Sequence, residues 1–294
     1  MIFEKLKEIF GERIKKNYPL YKLGILSRGK IEYFLEIFNL EELSKFFEIK
    51  PQDKNYYVIG AGSNTVADDK LIKGFIIKLG GDFKKIEFKN STVVVGSGVV
   101  LRELVKESMK RGLSGIEFLI GIPGTVGGAM KMNAGCFGKE ILDYVKEIEI
   151  FKNGKVYKKT AFKYSYRQGP VKDDEILLFT KMRLKKKTKR EVKKRIHEYM
   201  MRRKKRNLFH PNSKGSVFLN PKNKKAWKLI DEMSLRGFSV GTVRVWERNP
   251  NFFVWRRRSK GRDFYKLMRK IMDKVYKEKG IRLKPEINFI GYED

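Results

Sequence analysis

The chain carries one cysteine, Cys136, in 294 residues, which excludes an internal disulfide framework and a cysteine-rich zinc centre. Two histidines, His197 and His210, supply too few imidazoles for a transition-metal site. No uninterrupted apolar run approaches the roughly 20 residues that a membrane-spanning helix needs. The first stretch, MIFEKLKEIFGERIKK, mixes acids and bases at helical spacing, so it reads as an ordinary helix and not as a signal peptide. The expectation is a cytoplasmic protein with no metal and no membrane association. Internal repeats and low-complexity linkers are also missing, so any subdomains should be interwoven and not strung apart.

What the chain has in excess is positive charge. Its 67 Lys and Arg against 34 Asp and Glu give a formal net charge of +33. The segment from Lys181 to Arg206 alone holds 15 basic residues and 2 Glu. A nucleic-acid reader concentrates such residues on one face and adds a recognisable module. No zinc finger or RNA-recognition signature is present, so no specific nucleic acid is expected, and the lysines read as a solvated surface. The field still draws in polyanions, nucleotides among them. At 41% hydrophobic, the chain is able to bury a sizeable core shared by two or three subdomains.

Strands are expected at 56–60, 75–79, 91–98, 145–151, 175–184 and 286–290, with a hairpin turn at Asn153-Gly154. Leu101, Leu104, Val105 and Met109 keep helical spacing up to Gly112. Further helices are expected at 189–205, a basic one, and near 225–234. A last helix carries Phe264, Leu267, Met268, Ile271, Met272, Val275 and Tyr276 at 3,4 spacing as a core stripe and stops before Gly280. Strands and helices mix without strict alternation, so the fold class is α+β.

Two glycine loops carry the chemistry. Gly60-Ala61-Gly62-Ser63-Asn64 begins like a dinucleotide fingerprint, but residues 65–69 read as loop where a Rossmann turn opens into a helix. A Rossmann fold is therefore rejected. Small residues still let backbone N–H groups surround phosphate oxygens, although a plain tight turn explains this loop equally well. The second loop, Gly121-Ile122-Pro123-Gly124-Thr125-Val126-Gly127-Gly128, sets four glycines and a proline among apolar neighbours. It reads as backbone held against a large flat ligand. Two such loops, about 60 residues apart, suggest one dinucleotide spanning both.

The segments GAGSN (60–64), GLSGIEFLIGIPGTVGGAMKMNAG (112–135), YSYR (164–167), GSVFLNP (215–221), LRGFSVG (235–241) and LKPEINFIG (283–291) follow one another as in the UDP-N-acetylenolpyruvoylglucosamine reductases. The resemblance runs from about residue 50 to the end and is closest to the family's shorter class. It implies a vanillyl-alcohol-oxidase-type FAD-binding fold in two subdomains, followed by a smaller α+β substrate domain. The boundaries it suggests are 1–78 (with a C-terminal strand, 287–294), 79–203 and 204–286. It also implies FAD as cofactor, NADPH as reductant, a UDP-sugar enolpyruvate as substrate, a role in peptidoglycan precursor synthesis, and a monomer.

By the same resemblance, Gly60 to Asn64, Gly121 to Thr125, Gly127, Gly128, Asn133, Ala134 and Gly135 contact the FAD. Arg167 faces the substrate carboxylate, for which a guanidinium is a bidentate and permanently charged partner. Tyr166 lines the pocket. Ser216 donates the proton to C2, Glu286 partners the enolate-like charge, and Asn220 orients the substrate. Lys205, with Lys204 beside it, contacts the diphosphate, and Asn249 stands where the family places a polar pocket residue. The chain departs from the family at Arg28-Gly29-Lys30, at Cys136-Phe137 and at Asn249 to Phe252. Two other readings stay open at this point. One is an oxidoreductase of the same fold with a different substrate; the other is a basic nucleic-acid-binding protein on an old flavoprotein scaffold.

Overall fold

The computed structural model describes residues 2–256 and 259–292. The first helix, Ile2–Phe10, buries Leu6 and Phe10 one turn apart. It is shorter than the helical spacing suggests. Gly11 takes a left-handed φ of 56°, which ends the helix, and Ile14–Pro19 continues as a strand.

The chain separates into two units, each assembled from several stretches. Unit 1 comprises Met1–Lys16, Tyr33–Ala61 and Lys73–Arg202. One of its cores sets the helices Ile2–Phe10 and Leu40–Ile49 against strands within Lys30–Ile37, Tyr56–Val58 and Leu71–Leu79. Phe75 sits at its centre, with ring centroids 5.0 Å from Tyr33 and 5.2 Å from Phe46. The second core lies against a five-stranded antiparallel sheet. Its strand order is Lys155–Lys159, Val145–Lys152, Ile176–Arg183, Thr92–Gly96, Ile86–Lys89. The first two of these strands are joined at Asn153 and Gly154, both at positive φ, as an Asn-Gly hairpin requires. The helices Leu101–Lys110 and Lys189–Lys205 complete the picture read from the spacing.

Unit 2 comprises Asn17–Glu32, Gly62–Ile72 and Arg203–Asp294. A four-stranded antiparallel sheet, ordered Ser213–Ser216, Phe252–Trp255, Val243–Val245, Ser239–Val240, shares a core with the helices Ala226–Glu232 and Gly261–Lys279. The long helix buries Phe264, Leu267, Met268, Ile271 and Val275 and stops at Gly280 in the left-handed region. Tyr276, expected in the same stripe, is 48% exposed; its ring lies under the Arg282 guanidinium at 4.8 Å.

The expectation of a loop at 65–69 is corrected in part. Thr65–Ala67 is a buried strand paired in parallel with Asn288–Ile290. That partner lies at the far end of the chain, so no local pattern announces it. The same pairing, with the Leu26–Val66 bridge, explains why Asn17–Glu32 and Gly62–Ile72 group with the C-terminal third. These groupings cut across the expected 1–78 boundary.

Candidate functional site

In unit 1 the sequence-nominated glycines are drawn together. Gly60 stands against Thr125 so closely that a Cβ there would lie 2.2 Å from the threonine Oγ1. The second loop is anchored by its backbone. Leu101 N–H donates to Gly124 O at 3.0 Å, Val126 N–H to Val99 O at 2.8 Å, and Gly127 N–H to Ser97 O at 2.8 Å. The helix that follows, Val126–Lys131, was not foreseen; Thr125 caps it. The loop itself is open at its tip, with Gly121 and Pro123 exposed and Ile122 and Gly124 half-buried. Gly128 is also exposed.

Two polar atoms beside these loops are buried and have no hydrogen-bond partner among the described residues: Ser97 Oγ and Asn133 Oδ1. Leaving such atoms unpaired is unfavourable. Asn133 is fully buried and held at a φ of 42°. Its amide nitrogen donates to Glu140 Oε2 at 2.6 Å and to Ser165 O at 3.0 Å, so the unpaired oxygen has a set direction. Ser97 was not singled out from sequence. Its signal was there, as the centre of a third glycine turn, Gly96-Ser97-Gly98, at the end of a strand.

Asn133 also ties this segment to the YSYR turn. Ser165 and Gln168 exchange backbone bonds of 3.0 Å in both directions. Gly169 approaches Met130 so closely that a Cβ would lie 1.8 Å from its carbonyl oxygen. Arg167 sits in this turn with a φ of 59°, half-buried. Its Nη2 donates to Gly135 O at 3.0 Å, and its guanidinium carbon lies 5.0 Å from the Tyr166 ring centre. Tyr166 is 46% exposed. Ala134 is half-buried and Gly135 buried, next to Cys136, whose Sγ contacts Phe118 O at 3.2 Å.

The glycine loop 60–64 is divided after Ala61, so that Gly62, Ser63 and Asn64 belong to unit 2. There Asn64 is zipped onto the C-terminal segment. Its Nδ2 donates to Glu286 O at 2.8 Å, and its carbonyl accepts from Asn288 N–H at 3.0 Å. Glu286 N–H in turn donates to Val217 O at 2.8 Å, next to Ser216. The side-chain amide of Asn64 and the backbone of Glu286 thereby link two nominated residues to the neighbour of a third, Ser216.

Asn251 underpins this junction and was missed. It is 6% exposed; its Oδ1 accepts from Phe218 N–H at 3.0 Å and its Nδ2 donates to Phe218 O at 2.9 Å. The side chain thus imitates a paired strand beside Val217 and Phe218. Asn220 Oδ1 accepts from Ala226 N–H at 3.1 Å at the start of a helix. Asn249 Nδ2 donates to Asn207 O, and its Oδ1 accepts from Asn251 N–H, both at 3.3 Å. Lys205 is exposed at the end of its helix.

The charged groups of unit 2 fall into two kinds. Asp68 receives Arg262 Nε at 2.6 Å and Nη2 at 3.1 Å, and this pairing holds its carboxyl below the usual range. Lys214 has no such partner among the described residues: burial pushes its ammonium down to about 8. It went unnoticed as one lysine in a lysine-rich chain. A separate cavity of about 360 Å³ in unit 1, walled by Phe47, Tyr56 and Phe151, includes none of the nominated residues.

Comparison with known proteins bears on these residues. Residues 206–290 match a family model described as the C-terminal domain of UDP-N-acetylenolpyruvoylglucosamine reductase, and residues 33–158 match one described as an FAD binding domain. The chain is 33% identical to the UDP-N-acetylenolpyruvoylglucosamine reductase of Pelagibacter ubique, over 99% of this chain and all of that protein. It is 32% identical to the Rickettsia massiliae protein of the same name, over 94% of this chain and 95% of that one. The crystal structure of the Thermus caldophilus reductase superposes with a TM-score of 0.77 at 30% identity, covering 88% of this chain and 92% of the other.

Proposed function

The chain belongs to the UDP-N-acetylenolpyruvoylglucosamine reductase family, and on that premise we propose that it reduces UDP-N-acetylglucosamine enolpyruvate to UDP-N-acetylmuramate. FAD is the cofactor and NADPH the reductant. The observation that carries the reading is the junction in unit 2, where Asn64 is bonded to Glu286 and Glu286 to the residue after Ser216. The residues also fit a flavin nucleotide. Gly60 lets its loop close onto Thr125 of the second glycine loop, and Ser97 Oγ and Asn133 Oδ1 are buried polar atoms that a ligand's hydrogen-bonding edge would satisfy.

Bound FAD would supply the redox chemistry, two-electron reduction of the enolpyruvyl double bond at the expense of NADPH. The protein's tasks are orientation, charge and a proton. Arg167 binds the substrate carboxylate, where charge grows as hydride arrives. The Ser216 hydroxyl gives its proton to C2; a serine suffices because an enolate-like carbon is strongly basic. Glu286 stabilises the same charge from the adjoining segment. Lys205 meets the diphosphate, and Tyr166 and Asn220 shape the substrate's position. Asn249 acts through the loop it holds, because both ends of its amide already serve backbone groups. The protein works in the cytoplasm as a monomer; among the described residues no helix is long and apolar enough to cross a membrane.

The experiment is an anaerobic titration of the flavin-loaded protein. NADPH should bleach the flavin, and the enolpyruvyl substrate should restore its colour. A protein that cannot be loaded with FAD would refute the reading. Recolouring only by unrelated acceptors would assign the chain a different substrate.

A further inference from the structure

Lys214 stands two residues before Ser216, in the strand Ser213–Ser216. Its Nζ donates to Gly62 O at 2.8 Å and to Gly24 O. The Trp255 ring centre lies 5.9 Å away. Gly62 is the middle residue of the loop 60–64. One ammonium thus joins the strand that carries Ser216 to the loop whose composition suits phosphate. Both of its acceptors are neutral carbonyls, and an ammonium has three donors.

A cation taken out of water needs compensating charge, and two carbonyl dipoles supply only part of it. Elsewhere in unit 2 the chain does provide carboxylates, as Asp68 does for Arg262 and Asp231 for Arg236. At Lys214 desolvation acts without any carboxylate to oppose it. Among the described residues no carboxylate supplies that counter-charge. Lys214 is half-buried and its ammonium is held by two carbonyls next to a glycine loop, where an anion would be drawn in.

We propose that Lys214 is a binding residue for a nucleotide diphosphate at the turn Gly62-Ser63-Asn64, and that it couples occupancy of that turn to the strand of Ser216. The proposal rests on the reading of the chain as an FAD- and UDP-sugar-binding enzyme. Both of those ligands carry a diphosphate, so the test has an arm for each.

Two full-length variants separate charge from hydrogen bonding. Lys214→Gln keeps donors for the two carbonyls and removes the charge; Lys214→Arg keeps the charge. Flavin fluorescence gives the FAD dissociation constant, and calorimetry gives that of UDP on the flavin-loaded protein. Lys214→Gln should weaken one of the two by about tenfold or more, as loss of a charge-assisted contact does. It should also flatten that ligand's dependence on salt, while Lys214→Arg stays within a few-fold of wild type. A loss confined to FAD assigns the cofactor's diphosphate, and a loss confined to UDP assigns the substrate's. Unchanged affinity for both, or equal losses in both variants, overturns the proposal in favour of a purely structural clamp. An independent reading needs no variant. Acetylation of Lys214 in the wild-type protein, followed by mass spectrometry, should slow when FAD or UDP binds, and an unaltered rate with both overturns the proposal. A wild-type chain that takes up neither ligand would sink the functional reading itself, which is a different result.

Discussion

Replacing Ser216 by alanine separates chemistry from architecture. The strand around it is held by backbone bonds: Val217 N–H to Asn251 O and Glu286 N–H to Val217 O, both at 2.8 Å, and the pairing of Ser216 with Phe252. The Ser216 hydroxyl takes part in none of them. Ser216→Ala should therefore change stability by less than about 0.5 kcal/mol, a shift of about 2 °C or less in Tm for a chain of this size. Loss of a general acid, by contrast, lowers the rate of the step it serves by about 10² to 10⁴, or about 3 to 5 kcal/mol of barrier. Stopped-flow absorbance of the flavin reads the two half-reactions separately. Bleaching by NADPH should proceed at the wild-type rate, and recolouring by the enolpyruvyl substrate should slow by the full factor. Equal slowing of both, or a fall in Tm of many degrees, would refute the argument, since either would mean that the hydroxyl supports the fold.

Gly60→Ala should expel most of the flavin and destabilise the chain by about 1–3 kcal/mol through overpacking against Thr125. Thr125→Ala in the same chain should recover part of the stability, and strictly additive effects would disprove the contact. Lys214 binds its proton less tightly when folded, at about 8 against 10.5 for the free side chain. Between those values the unfolded chain holds more protons, so Lys214's contribution to stability rises with pH across the window, by up to about 3 kcal/mol. Denaturant melts from pH 7.5 to 10.5 should show that rise relative to Lys214→Met, and parallel curves would contradict it. Asp68→Asn should remove about 2 kcal/mol at neutral pH by breaking the Arg262 pair. The carboxyl's pKa is lowered in the folded state, so its contribution is full above the ordinary Asp range and fades as pH falls through the depressed value. The gap between wild type and variant should close in acid.

Much of this fold was legible because it depends on local patterns. The 3,4 spacing of Phe264, Leu267, Met268 and Ile271 marks a helix with one apolar face, and Gly280 ends it. Asn153-Gly154 marks a hairpin because both residues must take positive φ. The first helix ran short because Gly11, itself visible in the sequence, adopts the left-handed conformation. Of the site, the glycine loops and the residues of the family's motifs were visible. Ser97, Asn251 and Lys214 were not, for differing reasons. Ser97 matters through an unpaired hydroxyl, Asn251 through bonds to Phe218, and Lys214 through burial. None of these is a property of neighbouring residues in the chain.

From sequence alone came the α+β class, the family, the cofactor it implies, and the two glycine loops, because each rests on residue types at short, readable spacing. Only the tertiary structure decided which of those segments meet. Gly60 reaches Thr125, Asn64 is bonded to Glu286, and Thr65–Ala67 becomes a strand by pairing with Asn288–Ile290. Such contacts depend on how distant stretches close on one another, and the energy that selects them is shared across a whole core. The charge of Lys214 shows the difference most plainly. In the sequence it is one of 67 basic residues; in the fold it is a cation held by two carbonyls, with no carboxylate partner among the described residues.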